Sequence, residues 1–283
     1  MTVQPSSVSA SDEFGAVLRS LVEGRRDLTR AQASAVVRAM LEQQFDEVQT
    51  AVLLTALAQK GEAADEIAGA ADAIAARHPP LSLGTPRALN VGGTGGDRSG
   101  TFNISTTASF VVAAAGVPVV KHGNHRVTSD SGSSDMMAAL GVDIARCSQE
   151  EQIRACLAAC NFSFVSTASY YEFPAALTAV RRRIGVRSIF NLAGPLVHPA
   201  NVCFQLIGVA HPSLLDLMAG ALLRMQGVTA LVVHGAGGVD EISCVGETQL
   251  RRVHEGSVQS FIVHPSDFDV QPCELQALRG GCH

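Results

Sequence analysis

The sequence predicts an α/β fold in which a small all-helical N-terminal domain precedes a larger α/β domain with a mostly parallel sheet. Three observations carry this. Residues 12–78 place apolar side chains at three- and four-residue spacings, as amphipathic helices do. From residue 88 onward, strand-length apolar runs are followed by Gly-rich turns and then by helical stretches. Between the two regions Pro79, Pro80, Gly84 and Pro86 form a linker. The expected domains are 1–80 and 87–283.

Four helices fit the first region. The second is expected to start at Thr29, with Gln32 as its capping-box partner and Ala35, Val36, Ala39 and Met40 as its apolar stripe. The third runs from about Asp46 through Ala58 and stops at Gly61, a residue suited to a left-handed helix end. Ala64 to Arg77 makes the fourth. In the second region Ala88 to Val91 leads into Gly92 and Gly93, Val117 to Val120 into Lys121, His122 and Gly123, and Ala230 to Val233 into Gly235, Gly237 and Gly238. Ligands of such sheets bind at the carboxyl ends of the strands, where these turns fall.

Composition excludes several classes. With 26 Asp and Glu against 21 Lys and Arg, the net charge of −5 leaves no excess of cations to displace counterions from a phosphate backbone, so no nucleic-acid partner is expected. The longest apolar run, Phe110 to Val120, is shorter than the roughly 20 residues a bilayer requires, so no membrane partner is expected either. Met1 to Ala10 is polar and unlike a secretory signal, which points to a cytoplasmic protein. Seven cysteines contain neither a C-x-x-C pair nor a zinc spacing; most read as buried or incidental thiols, and Cys156 with Cys160 as a packing pair on one helical face.

The most informative segment is Asn90 to Thr106, where Gly92, Gly93, Gly95 and Gly96 leave backbone N–H groups open to an anion. A helix starting near Ser105 or Thr106 adds its positive end and its hydroxyls. The segment is neither a P-loop nor G-x-G-x-x-G, since Arg98 stands where a third Gly is needed; on spacing alone it also fits a tight turn that only packs strand on helix. Lys121 to Asp135 follows a strand with cations, hydroxyls and flexible backbone, as a second clamp on the same polyanion would. His122 and His125 lack a third metal ligand there. Asp240 and Glu241, at the third turn, are hard oxygen ligands suited to Mg²⁺, although such a pair alone also suits a helix N-terminus.

Together the segments Gly93 to Asp97, Asn103 to Thr106, Lys121 to Asn124, Ser131 to Asp135 and Asp240-Glu241 resemble, in order and spacing, the motifs of the anthranilate phosphoribosyltransferase family. The likeness extends to Gln59-Lys60-Gly61-Glu62, Glu66 to Gly69, Arg181 to Asn191 and Leu192 to Ala200, and so covers nearly the whole chain. It implies a nucleoside phosphorylase/phosphoribosyltransferase-type fold, with part of 168–195 joining the helical domain. It also implies transfer of phosphoribose from phosphoribosyl pyrophosphate to the amine of anthranilate, a step of tryptophan biosynthesis, with Mg²⁺ as cofactor and a homodimer through the helical region.

Carried over by position, the resemblance assigns Gly93, Gly96, Asp97, Thr101, Asn103, Ile104, Ser105 and Thr106 to phosphoribosyl pyrophosphate, with Lys121, His122, Gly123, Asn124, Ser129 and Ser133 as the second clamp. It assigns Gly93, Asn124 and Arg181 to anthranilate, and Ser105, Asp240 and Glu241 to Mg²⁺. No acid–base dyad is implied, because pyrophosphate is a good leaving group once neutralised. The chain departs from the family at Phe173, where a His is usual, and in Tyr170-Tyr171-Glu172 beside it. Arg98 and His125-Arg126 are milder changes, and the chain is expected to be short beyond Leu278-Arg279-Gly280-Gly281, exposing apolar surface. Two alternatives remain: a phosphoribosyltransferase for another aromatic acceptor, and a non-catalytic binding relative.

Overall fold

The computed structural model describes residues 10–83, 87–97, 99–123, 132–200, 202–225 and 227–280, with the side chains of 10–13, 168 and 169 outside that description. In chain order the elements are α1 (Ala10–Val22), α2 (Arg30–Leu41), α3 (Glu47–Lys60), α4 (Ala64–Ala75), β1 (Leu89–Gly93), α5 (Ile104–Ala114), β2 (Val119–Gly123), α6 (Ser133–Ala139), α7 (Ile144–Cys147) and α8 (Glu150–Cys160). There follow β3 (Phe162–Ser166), α9 (Thr167–Tyr171), α10 (Ala175–Ile184), α11 (Ile189–Ala193), β4 (Phe204–Gly208), α12 (Leu214–Arg224), β5 (Thr229–Gly235), β6 (Thr248–His254) and β7 (Ser257–Val263). The chain divides into two compact units, Met1–Ile74 with Phe173–Ala193, and Ala75–Glu172 with Gly194–His283.

The first unit is helical. Thr29 and Gln32 form the capping box of α2, and Asp46 with Gln49 forms one for α3, each satisfying backbone donors that a helix start leaves open. Gly61 closes α3 with a positive φ of 86°. Val36, Val37, Leu53, Leu54, Leu57 and Ile67 make its interior, joined by Leu177 and Val180 of α10. The buried Glu66 carboxylate accepts from the N–H groups of Leu28 and Ala63 and pairs with Lys60, so one side chain ties the start of α4 to the connection ahead of α2.

The second unit is built on a seven-stranded sheet in the order β3-β2-β1-β4-β5-β6-β7. The first five strands are parallel and the last two antiparallel. Alternation along the strands separates two cores: Val120 and Val165 face Ile153 and Leu157 of α8, while Val119, Phe162 and Phe164 face Ala113 and Met137. Leu215, Met218 and Leu222 of α12 are buried, and α12 packs on β5 and β6. Across β1, β4 and β5, the sheet forms an open groove of about 680 Å³ lined by Leu89, Val91, Ala108, Leu206, Leu231 and Phe261. Among the described residues, no helix is long and apolar enough to cross a membrane.

From β1 the chain moves to β2 and β3 on one side, then returns to β4 on the other. The order therefore reverses between β1 and β4, and a crevice opens beyond the carboxyl ends of strands at such a switch point. There Gly93 pairs with Gly208, and Gly208 with Val233.

Candidate functional site

The loop after β5 folds back onto the switch point. A Cβ on Gly208 would overlap the Asp240 carbonyl oxygen, and one on Gly93 would come 2.6 Å from Asp240 Oδ2. Only residues without a side chain allow this approach. Asp240 Oδ2 then accepts the Gly95 N–H at 3.0 Å, while the Thr94 N–H donates to Gly208 O at 2.9 Å. Glu241 Oε1 accepts the N–H of Ser105, in the first turn of α5, at 3.2 Å. The two acids thus meet the glycine-rich segment and the helix start that precede them by more than 130 residues.

Gly95, Gly96 and Gly100 take positive φ values of 62°, 84° and 68°, which turn the loop after β1 back on itself. Within it Ser99 donates to Asp97 Oδ2 at 2.5 Å and lies 3.0 Å from the Thr101 hydroxyl. Asn103 caps α5, followed by Ile104, Ser105 and Thr106 in its first turn. Thr106 is fully buried, and its hydroxyl has no hydrogen-bond partner among the described residues.

Lys121 ends up inside rather than on the rim of the site. It is only 2% exposed, and its ammonium donates to Val91 O at 2.6 Å and to Ser105 Oγ at 3.2 Å. Burial pulls its pKa down, against the opposing fields of Glu241 and Asp240. Burial pushes both carboxyls up; for Glu241 the charge of Asp240 adds to this, and for Asp240 the charge of Asp97. Asp240 and Glu241 share one buried ammonium, with Asp97 beside Asp240, and a divalent cation would favour the ionised form of these crowded acids. Among the described residues no three His, Cys, Asp or Glu side chains form a metal-holding group. The donor set still fits Mg²⁺, which takes one or two carboxylates and completes its shell with water and phosphate oxygens.

His122 follows Lys121 and packs edge-on against His198, ring centroids 5.2 Å apart. His198 Nδ1 accepts the Ala200 N–H, so its Nε2 carries the proton that bonds Val120 O at 2.9 Å. Burial lowers the pKa of His198 to about 4 and holds that of His122 well below the imidazole range. Ser133 begins α6, and its Oγ lies where a Cβ on Gly123 would stand. Asn124 and Ser129, with Arg98, His125 and Arg126, lie outside the described residues.

Arg181 lies on α10 in the helical unit, its guanidinium 5.1 Å from the centroid of Phe190. Its Nε is buried without a hydrogen-bond partner among the described residues. Phe173 meets the same Phe190 ring edge-on, with centroids 5.9 Å apart.

Several residues that build the site carry no sequence signal of their own. Asn90 Oδ1 accepts the His122 N–H and joins β1 to β2, but a buried Asn before a glycine pair reads as part of the turn. Gly208 and His198 are marked only by what surrounds them in space. A glycine ending an apolar strand run at the sheet's centre would have been the one usable signal for Gly208.

Residues 16–77 match the helical bundle domain of a glycosyl transferase family, and residues 85–283 match that family's a/b domain. Anthranilate phosphoribosyltransferase of Chlorobaculum tepidum is 37% identical over 94% of this chain and 76% of its own length. That of Symbiobacterium thermophilum is 41% identical over 94% and 77%. Among solved structures, anthranilate phosphoribosyltransferase from Thermus thermophilus superposes with a TM-score of 0.83 at 36% identity, over 94% of this chain and 78% of that one. The enzyme from Saccharomyces cerevisiae in complex with PRPP and Mg gives 0.86 at 26% identity, over 96% and 78%. With both units matched and relatives this similar over nearly its full length, the chain belongs to the anthranilate phosphoribosyltransferase family of glycosyl transferases.

Proposed function

We propose that this chain transfers the phosphoribosyl group of phosphoribosyl pyrophosphate to the amine of anthranilate and releases pyrophosphate. The observation that carries the proposal is the convergence at the switch point: Asp240 on Gly95 and Glu241 on Ser105 set an acid pair against an open glycine loop and a helix start. Gly93, Gly96, Asp97, Thr101 and Asn103 to Thr106 are assigned to the diphosphate and ribose. Lys121, His122, Gly123, Asn124, Ser129 and Ser133 are assigned to the second clamp.

In this reading Lys121 acts from beneath the site, since its ammonium already bonds Val91 and Ser105; it fixes the Ser105 hydroxyl and offsets the acids. Ser105, Asp240 and Glu241 would hold Mg²⁺, which when bound neutralises diphosphate charge and so eases its departure. The backbone N–H groups after β1 then face the charge that grows on the leaving oxygen, and the fixed carboxylates favour a ribosyl centre that becomes cationic. No general base is required, because an aromatic amine attacks as the neutral species. Arg181 is assigned to the carboxylate of the acceptor, a role supported by its buried Nε, which has no hydrogen-bond partner among the described residues. A homodimer and a cytoplasmic location belong to the same reading, the first tested by sedimentation.

A second reading, a phosphoribosyltransferase for another aromatic acceptor, is favoured by Phe173, which packs on the ring that carries Arg181. Steady-state assays with anthranilate and a small panel of other aromatic acids that carry a ring amine separate the two. Turnover of anthranilate is the expected result, and its absence at millimolar concentration defeats the leading reading. Calorimetric titration with phosphoribosyl pyrophosphate, with and without Mg²⁺, tests the donor half by itself.

A further inference from the structure

After β7 the chain crosses back over the carboxyl ends of the strands and rests on two loops of the site. The Cys273 N–H donates to Cys244 O at 3.0 Å, and Leu275 lies against Gly237. Beyond it, the Phe102 N–H donates to Leu278 O and the Gly280 N–H to Gly100 O, both at 2.9 Å, with Thr101 and Arg279 in an antiparallel bridge. Residues 278–280 are therefore a one-bridge strand against the segment between Asp97 and Asn103. Cys244 stands three residues after Glu241, on the loop that carries both acids. Its Sγ is 3.4 Å from Cys273 Sγ, and both residues are half-buried free thiols.

We propose that Cys244 and Cys273 form an oxidisable dithiol, and that their disulfide pins the 273–280 segment, and through it Gly100–Phe102, to the acid-bearing loop. The sulfurs need to approach by only about 1.4 Å to reach bonding distance. The backbone hydrogen bond between the two residues already sets them side by side, so closure asks for side-chain rotation and not for movement of a loop. The oxidant is a small-molecule disulfide such as oxidised glutathione. One cysteine, as thiolate, attacks it and forms a mixed disulfide with release of one small thiol; the second cysteine then displaces the other. The two protons lost from the protein thiols end on the two small thiols, and the small disulfide gains the two electrons. The hydrogen bond between the sulfurs holds Cys273 above the usual thiol range, so the reaction quickens as pH rises.

This modification is independent of the acceptor and of catalysis, and its test requires neither substrate. The full chain is incubated with oxidised glutathione and digested with trypsin, which places Cys244 alone in peptide 225–251 and Cys273 alone in peptide 253–279. The expected result is a linked 225–251/253–279 pair that dithiothreitol separates, together with slower hydrogen exchange at the Phe102 and Gly280 amides by about tenfold. Cys244→Ser and Cys273→Ser should each abolish both effects while leaving exchange in the reduced protein unchanged. Glutathione adducts on both cysteines without a link, or a link that leaves exchange at Phe102 unaltered, would overturn the proposal. A failure to bind phosphoribosyl pyrophosphate would count against the proposed activity and leave this result standing.

Discussion

Lys121 spends its charge inside the protein: its ammonium donates to a strand carbonyl and the Ser105 hydroxyl and lies in the field of two acids. That leaves Asp240 and Glu241, both raised by burial and by neighbouring carboxyls, as the groups whose ionised form a bound cation would favour. Replacing both, Asp240→Asn with Glu241→Gln, should lower turnover at least about tenfold at limiting Mg²⁺; unchanged kcat/KM there would remove them from the site. Gly208→Ala should weaken Mg²⁺-dependent binding of phosphoribosyl pyrophosphate similarly, because its methyl group must displace the Asp240 backbone. Titration affinity against a preserved circular dichroism spectrum is the measurement. His198 supplies a pH dependence. Its folded pKa of about 4 lies below the unfolded value of 6.5, so above that value neither state holds the proton. Below it the unfolded state binds the proton and the native one does not, and stability falls by up to about 1.4 kcal/mol per pH unit until about pH 4. The raised carboxyls of Asp240 and Glu241 act in the opposite sense, since the native state protonates them first. Urea unfolding of the wild type and of His198→Gln across that range should therefore differ in slope, the variant losing less stability on acidification. Of these residues the sequence displays those in glycine or charge clusters, such as Gly93, Lys121 and Asp240. It hides Asn90, Gly208 and His198, whose roles arise from neighbours distant in the chain.

At the level of elements, local chemistry determines what can be read in advance. The α2 start at Thr29 is legible because both partners of its capping box sit within one turn, and Thr29→Ala should cost about 1 kcal/mol in denaturant unfolding. Strands β1, β2 and β5 are legible because glycines close or follow their apolar runs. β3 passes directly into α9 without such punctuation, while β4 does end in Gly208 but opens on Phe204, exposed at the groove, and has Gln205 breaking its apolar run. The β6–β7 hairpin escapes for another reason: all of β7 but its last residue is solvent-exposed, so burial imprints no alternation on it. Helix packing leaves a sharper mark. A Cβ on Gly69 would collide with Arg30 O, so α4 and α2 meet through backbone. Gly69→Ala should destabilise the protein by about 1–3 kcal/mol despite alanine's better helix propensity, and a melting temperature at or above that of the wild type would refute the contact.

At the scale of the molecule, the helical unit is discontinuous in sequence: α1 to α4 are completed by residues 173–193. Leu177 and Val180 of α10 are buried in it, and α10 packs on α3. A fragment of residues 1–78 should therefore remain helical by circular dichroism but melt broadly or self-associate, as a helical set lacking part of its interior does. A sharp, monomeric transition would show that the returning segment is dispensable. The sheet has the same property on a longer interval, and this matters during synthesis. Gly95 waits for Asp240, 145 residues later, and β1 remains an edge strand until β4 is made. At ribosomal rates of about 5–20 residues per second, the glycine loop is outside the ribosome for roughly 7–30 s before its acids arrive. Throughout much of that interval a nascent chain presents an unpaired parallel edge, so the window of greatest exposure to aggregation and to chaperones lies between translation of residue 93 and of residue 204.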